Sequence, residues 1–452
     1  MMRMNQAIIG FALASGFCAM ASAAISPEEA AKLGGPEYTE TGAIRAGNPD
    51  GSIPPYSGQL PPSAEAPESA GRFKWGDPYA DEKPLYVVDA SNMEQYADKL
   101  SDGQKLLLQR YPDTYRIEVF PTKRDISFPA HILENTPKCA TTAEVADNGN
   151  SLSGAVACIP FPFPKNGYEA MWNATMQMGA SRYQRVFMEG WLVDTSGSAN
   201  LISRSTVLQE KEFWDPQAKD PRYYLRQLNE HLFPAAKAGS KELMWEPLLG
   251  GQENQRAWIY LPGQRRVRLA PEMTYDNVAT NYGGIMFYDE ISFFYGKKDR
   301  FDFSSLEMKE MIIPANSNKS HFHPFNEIAM DKHVDPSAVR WELRRVLVVD
   351  AKRKEGARHA NQRKVFYIDQ DTWLIAAYDS YDDSGKIHRV VMGMPYMQPE
   401  LPLVRGITTI SYDMSRNLYG AVGHQNNGGV FTVESLPPGF VLPDSMAGSG
   451  VR

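Results

Sequence analysis

The stretch RKVFYIDQDTWLIAAYDSYDDSGKIHRVVMG, residues 363–393, contains the clearest fold signal in this 452-residue sequence. Its β-branched and aromatic residues fall into three runs, which polar turn residues separate at 369–371 and 383–385. Such runs between turn signals are typical of β-strands, and short connections join antiparallel neighbours. The stretch therefore predicts a three-stranded antiparallel meander.

The same pattern, with β-branched and aromatic runs separated by turn residues, extends over most of the chain after Arg182. The segment YQRVFMEGWLVDTSGSANLISRSTVL, residues 183–208, is interrupted at 195–197 and predicts a hairpin. Two helical interruptions are expected, one over 220–232 and one near 335–337. Residues 181–440 are thus predicted to form one large, mainly antiparallel sheet.

Another hairpin is predicted for RAWIYLPGQRRVRLAP, residues 256–271, with Pro262 and Gly263 in the turn. Alternation along the strands is expected to separate an arginine face, with Arg266 and Arg268, from an apolar face. The residues expected on the apolar face are Ile259, Leu261, Val267 and Leu269. The arginines are interpreted as a solvated face. An anion site formed by Arg265, Arg266 and Arg268 is the alternative, because guanidinium groups suit carboxylate and phosphate.

The first residues, MMRMNQAIIGFALASGFCAMASAAIS, have the pattern of a cleavable signal peptide. Arg3 precedes an apolar segment over 7–20, and the small residues at 21–23 are typical of a cleavage site. A membrane anchor is the alternative, but the apolar segment is shorter than the ~20 residues that a spanning helix needs. Residues 1–23 are therefore predicted to be removed, which leaves a periplasmic chain with no transmembrane segment.

Helices are predicted before the sheet. Three residue pairs have the spacing of helix-capping boxes, namely Ser26 with Glu29, Ser91 with Glu94 and Ser101 with Gln104. A further helix over 166–178 places Trp172 on an apolar stripe, which is either ordinary core or faces a ligand. We expect a short helix and an extended Pro- and Gly-rich arm over 24–85 and a helical cover over 86–180. Residues 24–452 are expected to form one domain.

Composition and motifs narrow the function. The chain carries 47 Lys and Arg against 54 Asp and Glu, so it lacks the basic surface that nucleic acid binding needs. It has no phosphate-binding loop, nucleophile elbow or dinucleotide fingerprint. No catalytic residue, cofactor or metal site is therefore predicted. The nearest metal candidate is His321, His323 and His333, with Glu327 or Asp331, and surface loop histidines are the alternative interpretation.

Two cysteines remain after the predicted signal peptide, Cys139 and Cys158. Export to an oxidising compartment favours a disulfide between them, and two buried thiols are the alternative. In the chain-entropy model, a loop of this size stabilises the fold by roughly 3 kcal/mol.

Several long motifs occur in a fixed order over nearly the whole mature chain. They include WIYLPGQRRVRLAP (258–271), GGIMFYDEISFFYGKKDRFDF (283–303), MIIPANS (311–317) and HVDPSAVRWELRRVLVVDAK (333–352). With these motifs the chain resembles the exported family of Gram-negative bacteria catalogued as domain of unknown function 1329. That family is grouped with the LolA and LolB lipoprotein carriers. The resemblance implies a half-open antiparallel β-barrel covered by helices, and a role with an inner-membrane exporter and an outer-membrane protein.

The leading functional hypothesis is a periplasmic carrier or chaperone for a lipid, an acyl chain or a sterol-like molecule. A bent, incompletely closed sheet leaves a concave apolar cavity suited to such ligands. The residues expected to line it are Trp172, Trp258, Tyr260, Trp341, Leu343 and Trp373. Plain core packing is the alternative for each of them. The other functional hypotheses are a structural adaptor between exporter and outer-membrane partner, and a metal-dependent hydrolase that uses the three histidines.

Overall fold

The structure is a computed structural model, and it describes residues 24–176, 181–398 and 404–448. The predicted signal peptide, residues 1–23, lies outside the described residues. Within the described ranges, no helix combines the length and the apolar character needed to cross a membrane.

The described residues contain short helices and many strands. The α-helices are α1 (Pro27–Ala30), α2 (Asp102–Arg110), α3 (Ala130–Ala140), α4 (Gly167–Met176), α5 (Phe325–Ile328) and α6 (Ser445–Gly448). The first strands are β1 (Tyr86–Val88), β2 (Ile117–Phe120), β3 (Glu144–Ala146), β4 (Ser151–Ser153), β5 (Tyr183–Val193), β6 (Ala199–Glu210), β7 (Tyr223–Phe233), β8 (Lys241–Pro247) and β9 (Arg256–Leu261). The remaining strands are β10 (Arg266–Leu269), β11 (Phe301–Asp302), β12 (Glu307–Pro314), β13 (Trp341–Arg353), β14 (Arg363–Asp369), β15 (Ile375–Tyr381), β16 (Ile387–Met397), β17 (Val404–Asp413) and β18 (Leu418–Thr432).

Sixteen strands form one sheet in the order β1-β2-β13-β14-β15-β16-β17-β18-β5-β6-β7-β8-β9-β10, and β11 and β12 pair with β13 at its side. All pairings are antiparallel except the short parallel contact of β13 with β2. The path ends at β1 and β10, which do not pair with each other, so the sheet stays open. The predicted fold class, a mainly antiparallel half-open barrel, is confirmed.

The predicted meander is strands β14, β15 and β16. Tyr367 lies opposite Ala377, and Tyr378 lies opposite Val391. In the second turn, the Asp382 carboxylate accepts hydrogen bonds from the backbone N–H groups of Ser384 and Lys386, at 2.9 and 3.0 Å. Aspartate side chains stabilise turns in this way, so the polar breaks in the sequence end the strands where predicted.

The helix expected over 220–232 was wrong, because this segment forms β7. The Asp-Pro pair that resembles a helix start precedes the strand, and β7 is hydrogen-bonded to β6 on one side and β8 on the other. Tertiary pairing on both edges outweighs a weak local helix signal. Near 335–337 the structure has only a 3₁₀ turn, Pro336–Ala338, capped by the Asp335 side chain.

Two of the three predicted capping boxes are present, those of Ser26 and Ser101. The box predicted from Ser91 is absent, because the Ser91 hydroxyl donates to the Asp89 carboxylate at 2.6 Å and the next turn is a 3₁₀ helix, Met93–Lys99. Residues 86–180 contribute strands β1 and β2 to the sheet as well as helices α2, α3 and α4.

The predicted disulfide between Cys139 and Cys158 is present. It joins the end of α3 to the segment that follows β4. Both cysteines belong to the largest apolar cluster, together with Trp172 of α4 and Phe366 of β14. The disulfide therefore fixes the helical layer to the main core.

Candidate ligand-binding site

A cavity of about 140 Å³ lies against one face of strands β5 to β8. Successive side chains of a strand point to opposite faces, so every second residue can reach it. The strand residues that line it are Gln184, Val186 and Met188 of β5, Val207 and Gln209 of β6, Gln227 and Asn229 of β7, and Glu242 and Met244 of β8. Their intervening neighbours, among them Leu208, Leu228 and Leu243, pack in a separate cluster.

The cavity face is the concave face of the sheet. Thr409 of β17 and Val430 of β18 line the same cavity as Met244 of β8. Strands β17 and β8 are five positions apart in the sheet, which is roughly 24 Å in a flat sheet. A single small cavity can touch all of them only because the sheet curves around it.

Residues 275–295, which we name the cover segment, close the concave face. Tyr282, Tyr288, Ile291 and Phe293 line the cavity from this side. Tyr282 also packs with Val422 of β18 in a small apolar cluster, which holds the cover segment against the sheet. The cavity thus lies between the curved sheet and this irregular segment.

A buried ionic cluster anchors the end of the cover segment to β14 and β16. The Glu290 carboxylate pairs with Arg389 and lies 3.6 Å from the Lys364 Nζ, and Asp289 lies 2.7 Å from the His359 Nε2. Burial would raise the pKa of Glu290, but the charges of Arg389 and Lys364 overcome this and hold the pKa at about 2. The Glu290 carboxylate is therefore charged at neutral pH. Without its two cationic partners, burial of this charge would be costly.

Amide side chains cross the cavity wall in a row. Gln184, Gln209 and Gln227 lie directly opposite one another on β5, β6 and β7. The Gln209 Nε2 donates to the Gln227 Oε1 at 3.1 Å, and the Lys211 Nζ donates to the Gln184 Oε1 at 2.8 Å. Beside this row lies an apolar row that includes Val186 and Val207. The wall therefore presents hydrogen-bonding groups and aliphatic groups side by side.

A second cavity of about 440 Å³ adjoins the first, and Glu242, Asn281 and Tyr288 line both. The Asn281 Nδ2 donates to the Glu242 carboxylate, which also lies 3.3 Å from the His231 Nε2. The Lys237 Nζ donates to the Asn281 Oδ1 at 2.6 Å. This polar contact between the cover segment and β8 divides the two cavities.

Glu246, two residues beyond Met244 on β8, is buried in the core next to the site. Burial raises the pKa of its carboxyl to about 8, and the hydroxyl of Tyr224 lies 3.4 Å away. Burial also lowers the pKa of the Lys298 ammonium to about 7, and its Nζ lies 3.7 Å from the centre of the Trp172 ring. Trp172 is therefore held by core contacts, and its Nε1 donates to the Gly149 carbonyl at 3.0 Å.

Three other predicted site residues also lie in core clusters. Trp373 lies in the turn between β14 and β15, where its Nε1 donates to the Thr41 carbonyl at 3.2 Å. Trp341 and Leu343 of β13 are buried in a second large cluster, together with Leu107 of α2. The structure does not bring these three residues together with Trp172 around one cavity.

Trp258 and Tyr260 of β9 lie on the opposite face of the sheet from the cavity. They pack with Leu243 of β8 under the C-terminal segment 436–447. Among the described residues that line the 140 Å³ cavity, none is one of the six that the sequence predicted.

The predicted faces of the 256–271 hairpin were also wrong. Val267 lies opposite Tyr260, and Arg268 lies opposite Ile259. Directly opposed residues share a face, and the four-residue connection 262–265 sets a register that pairs the arginines with Ile259 and Leu261. The predicted apolar face required an odd number of connecting residues. Arg265, Arg266 and Arg268 are exposed, as a solvated face requires.

The three candidate metal-binding histidines are not brought together. The His321 ring is buried and its Nε2 lies 3.2 Å from the Met394 carbonyl, whereas the exposed His323 pairs with Glu327 at 3.0 Å. The His333 Nε2 lies 2.9 Å from the Thr114 hydroxyl. Across the described ranges, no group of three His, Cys, Asp or Glu side chains is placed to hold a metal ion.

The cavity-lining amides were missed because polar residues at alternate strand positions are usually solvent-exposed. In the sequence, Gln184, Gln209 and Gln227 each lie between one apolar and one charged residue, which does not mark them as facing a cavity. Only the course of the cover segment shows that this polar face is enclosed. Alternation indicates that a strand has two faces, and it does not indicate which face is covered.

Comparison with known proteins identifies the family. The family model described as "Protein of unknown function (DUF1329)" matches residues 87–444. The uncharacterized protein PA3922 of Pseudomonas aeruginosa is 35% identical over 412 residues, which cover 89% of each chain. A solved DUF1329 family protein from Desulfovibrio piger is 14% identical, with a TM-score of 0.43 over 62% of this chain and 97% of that chain. The solved LolA superfamily protein NE2245 from Nitrosomonas europaea is 10% identical, with a TM-score of 0.38 over 62% of this chain and 99% of that chain. From the family model and the Pseudomonas relative, we conclude that this chain belongs to the DUF1329 family.

Proposed function

We propose that the protein is a periplasmic carrier of a hydrophobic ligand, such as a lipid, an acyl chain or a sterol-like molecule. The observation that carries this proposal is the cavity between the concave face of β5 to β8 and the cover segment. Concave, largely preformed and mostly apolar cavities are the usual binding sites of small hydrophobic molecules.

The surroundings of the cavity support a carrier. Val186, Val207 and Val430 form an aliphatic wall at positions where a well-packed sheet would bury large side chains in a core. An adjoining second cavity offers room for a longer ligand once the contact between Asn281 and Glu242 opens. These features favour reversible occupation over permanent core packing.

In this proposal the signal peptide at 1–23 directs the chain to the periplasm. There it works with an inner-membrane exporter and an outer-membrane protein, which supply and receive the ligand. The carrier does no chemistry on its ligand and needs no cofactor, so ligand release depends on the partners and on the cover segment.

An adaptor role between those membrane proteins is the second candidate, and exposed leucines favour it. Leu85, just before β1, is 63% exposed, and Leu60 in the Pro-rich arm is 46% exposed. Exposed apolar groups of this kind are common at protein interfaces. Crosslinking in intact cells separates the two roles, since an adaptor gives stable adducts with a membrane partner whether or not lipid is bound.

The test of the carrier proposal is native mass spectrometry of the protein purified from the periplasm. We expect a bound lipid in the wild type and its loss in Val207→Trp, which fills the cavity. Thr206→Trp is the matched control, because Thr206 is the next residue of β6 and points to the other face. Absence of any lipid from the wild type, together with no uptake of a hydrophobic dye, would count against a carrier.

A further inference from the structure

We infer that the cavity selects an amphiphile whose polar end is uncharged and donates hydrogen bonds, such as a long-chain alcohol or primary amide. This inference rests on the proposed carrier function and specifies its ligand class. It is carried by two acceptor atoms without partners and by the charges around them.

Two buried amide oxygens of the cavity wall lack a hydrogen-bond partner. They are the Asn229 Oδ1 on β7 and the Gln425 Oε1 on β18, and neither finds a donor anywhere in the described part of the chain. Both residues line the 140 Å³ cavity, and their exposed fractions are 7% and 3%. Buried polar atoms without a partner are rare and costly in folded proteins. A ligand that donates a hydrogen bond here removes that cost.

The charges at the cavity argue against an anionic headgroup. Among its described lining residues, the only charged side chain is Glu242. Lys237 and Lys241 line the adjoining cavity, and Lys237 already donates to the Asn281 Oδ1. A carboxylate or phosphate in the smaller cavity would therefore lose its hydration and face a like charge, while the nearby Lys211 and Lys237 already donate to Gln184 and Asn281.

A cationic headgroup is disfavoured by the same contacts. The Glu242 carboxylate accepts a hydrogen bond from Asn281 and lies 3.3 Å from the His231 ring. Because this carboxylate is already engaged, an ammonium group that enters the cavity would gain less than a full ion pair. Burial of a charge without full compensation costs far more than burial of a hydroxyl or amide.

The remaining wall accepts the apolar part of the ligand. Val186, Val207, Val422 and Val430 present aliphatic groups from the sheet, and Tyr282 presents a ring from the cover segment. Apolar and hydrogen-bonding groups thus lie within one small cavity. A pure hydrocarbon would fill the apolar part and leave both amide oxygens without a donor.

The test is displacement of Nile red from the full mature chain by four ligands with the same chain length. The ligands are dodecanol, dodecanamide, dodecanoate and dodecylammonium at neutral pH. We expect the two uncharged ligands to bind roughly tenfold or more tightly than the two ions, since one well-made hydrogen bond and an avoided buried charge each change affinity on this scale. Equal affinities, or tighter binding of either ion, would overturn the inference and leave the carrier function standing. Failure of Nile red and of all four ligands to bind would instead remove the carrier function.

Substitutions of the two amides test whether Asn229 and Gln425 cause the preference for uncharged ligands. Asn229→Leu and Gln425→Leu should each weaken the binding of dodecanol and dodecanamide by about three- to tenfold relative to the binding of Nile red. Gln252→Leu is the control, because Gln252 is an exposed amide outside the cavity. Unchanged alcohol and amide binding in both cavity variants would contradict the assignment. If a variant does not fold, as judged by its circular dichroism, the ranking of ligands on the wild type still decides.

Discussion

The two halves of the sheet are built differently. In the half formed by β13 to β16, most residues are buried, and every residue of β15 (Ile375–Tyr381) is buried. In the half formed by β5 to β10, buried residues are interspersed with partly or fully exposed ones, and β10 (Arg266–Leu269) has no buried residue. One continuous sheet thus combines a densely packed scaffold half with a half whose concave face forms most of the cavity wall.

The two halves also differ in the kind of polar group that they bury. The scaffold half buries ion pairs, such as Arg344 with Asp369 at 2.8 Å and Lys364 with Glu290 at 3.6 Å. The cavity wall has amides, and two of them, Asn229 on β7 and Gln425 on β18, have acceptor oxygens without a donor among the described residues. Charges that are paired with an opposite charge stabilise a fixed arrangement, whereas neutral groups with spare hydrogen-bonding capacity suit a ligand that binds reversibly. The difference teaches that the proposed ligand cavity lies against the less densely packed half of the sheet.

The largest expected effect is a cavity made in the scaffold half. Phe366→Ala should lower the free energy of unfolding by about 3–5 kcal/mol, because the Phe366 ring is fully buried among Phe294, Phe303 and Tyr378. Phe187→Ala in the cavity half is the matched control and should cost clearly less, since Phe187 is only half-buried. Urea unfolding followed by circular dichroism measures both. Equal losses would show that the halves do not differ in packing.

Removal of the buried charge of Glu290 should lower the free energy of unfolding nearly as much as Phe366→Ala does. Glu290→Gln leaves Arg389 and Lys364 without their carboxylate, and breaking such a buried pair costs roughly 3–5 kcal/mol at neutral pH. The matched change Glu242→Gln in the cavity wall should cost much less, because Glu242 is partly exposed.

The anchor also predicts a pH dependence. The pKa of Glu290 in the folded protein, about 2, is below its unfolded value, so its stabilisation is full above pH 4.5 and is lost as the pH falls toward 2. Thermal melting of wild type and Glu290→Gln should therefore differ most near neutral pH and converge in acid. A difference in melting temperature that grows on acidification would contradict the stabilising role of the charged Glu290.

A smaller effect is expected from the disulfide. Cys139→Ser with Cys158→Ser should destabilise the fold by roughly 3 kcal/mol, because the unfolded chain regains the entropy of the closed loop. Unfolding of the double variant, compared with the wild type with and without reductant, measures it. A reductant effect on the double variant itself would point to another cause.

The smallest effects belong to the edge hairpin of the cavity half. Leu269→Asp and Arg266→Ala should each change stability by less than about 0.5 kcal/mol, because both side chains are exposed on β10. Val267→Asp should cost more, since Val267 packs against the cluster beneath the C-terminal segment 436–447. Melting temperatures of the three variants give the order. A large loss from Leu269→Asp would show that this edge is covered.

Local sequence signals predicted the scaffold half well and the cavity half poorly. The meander 363–393 and the disulfide follow from turn residues, composition and export, and the structure contains both. The six aromatic and aliphatic residues predicted to contact a ligand lie in apolar clusters and not at the 140 Å³ cavity, because large apolar side chains are equally suited to core packing. The register of the 256–271 hairpin depends on the length of its connection, and the strand structure of β7 depends on its pairing with β6 and β8. That information is not local, so alternation alone could not assign the cavity wall.

The central claim is that the ligand lies between the concave face of β5 to β8 and the cover segment. Its most direct test is photolabelling of the wild-type protein with a long-chain alcohol that carries a diazirine, followed by mass spectrometry of the labelled peptides. We predict adducts on cavity-facing residues, such as Met188 and Val207, and on the cover segment 275–295. Adducts concentrated on the opposite face, around Trp258 and the C-terminal segment 436–447, would contradict the account.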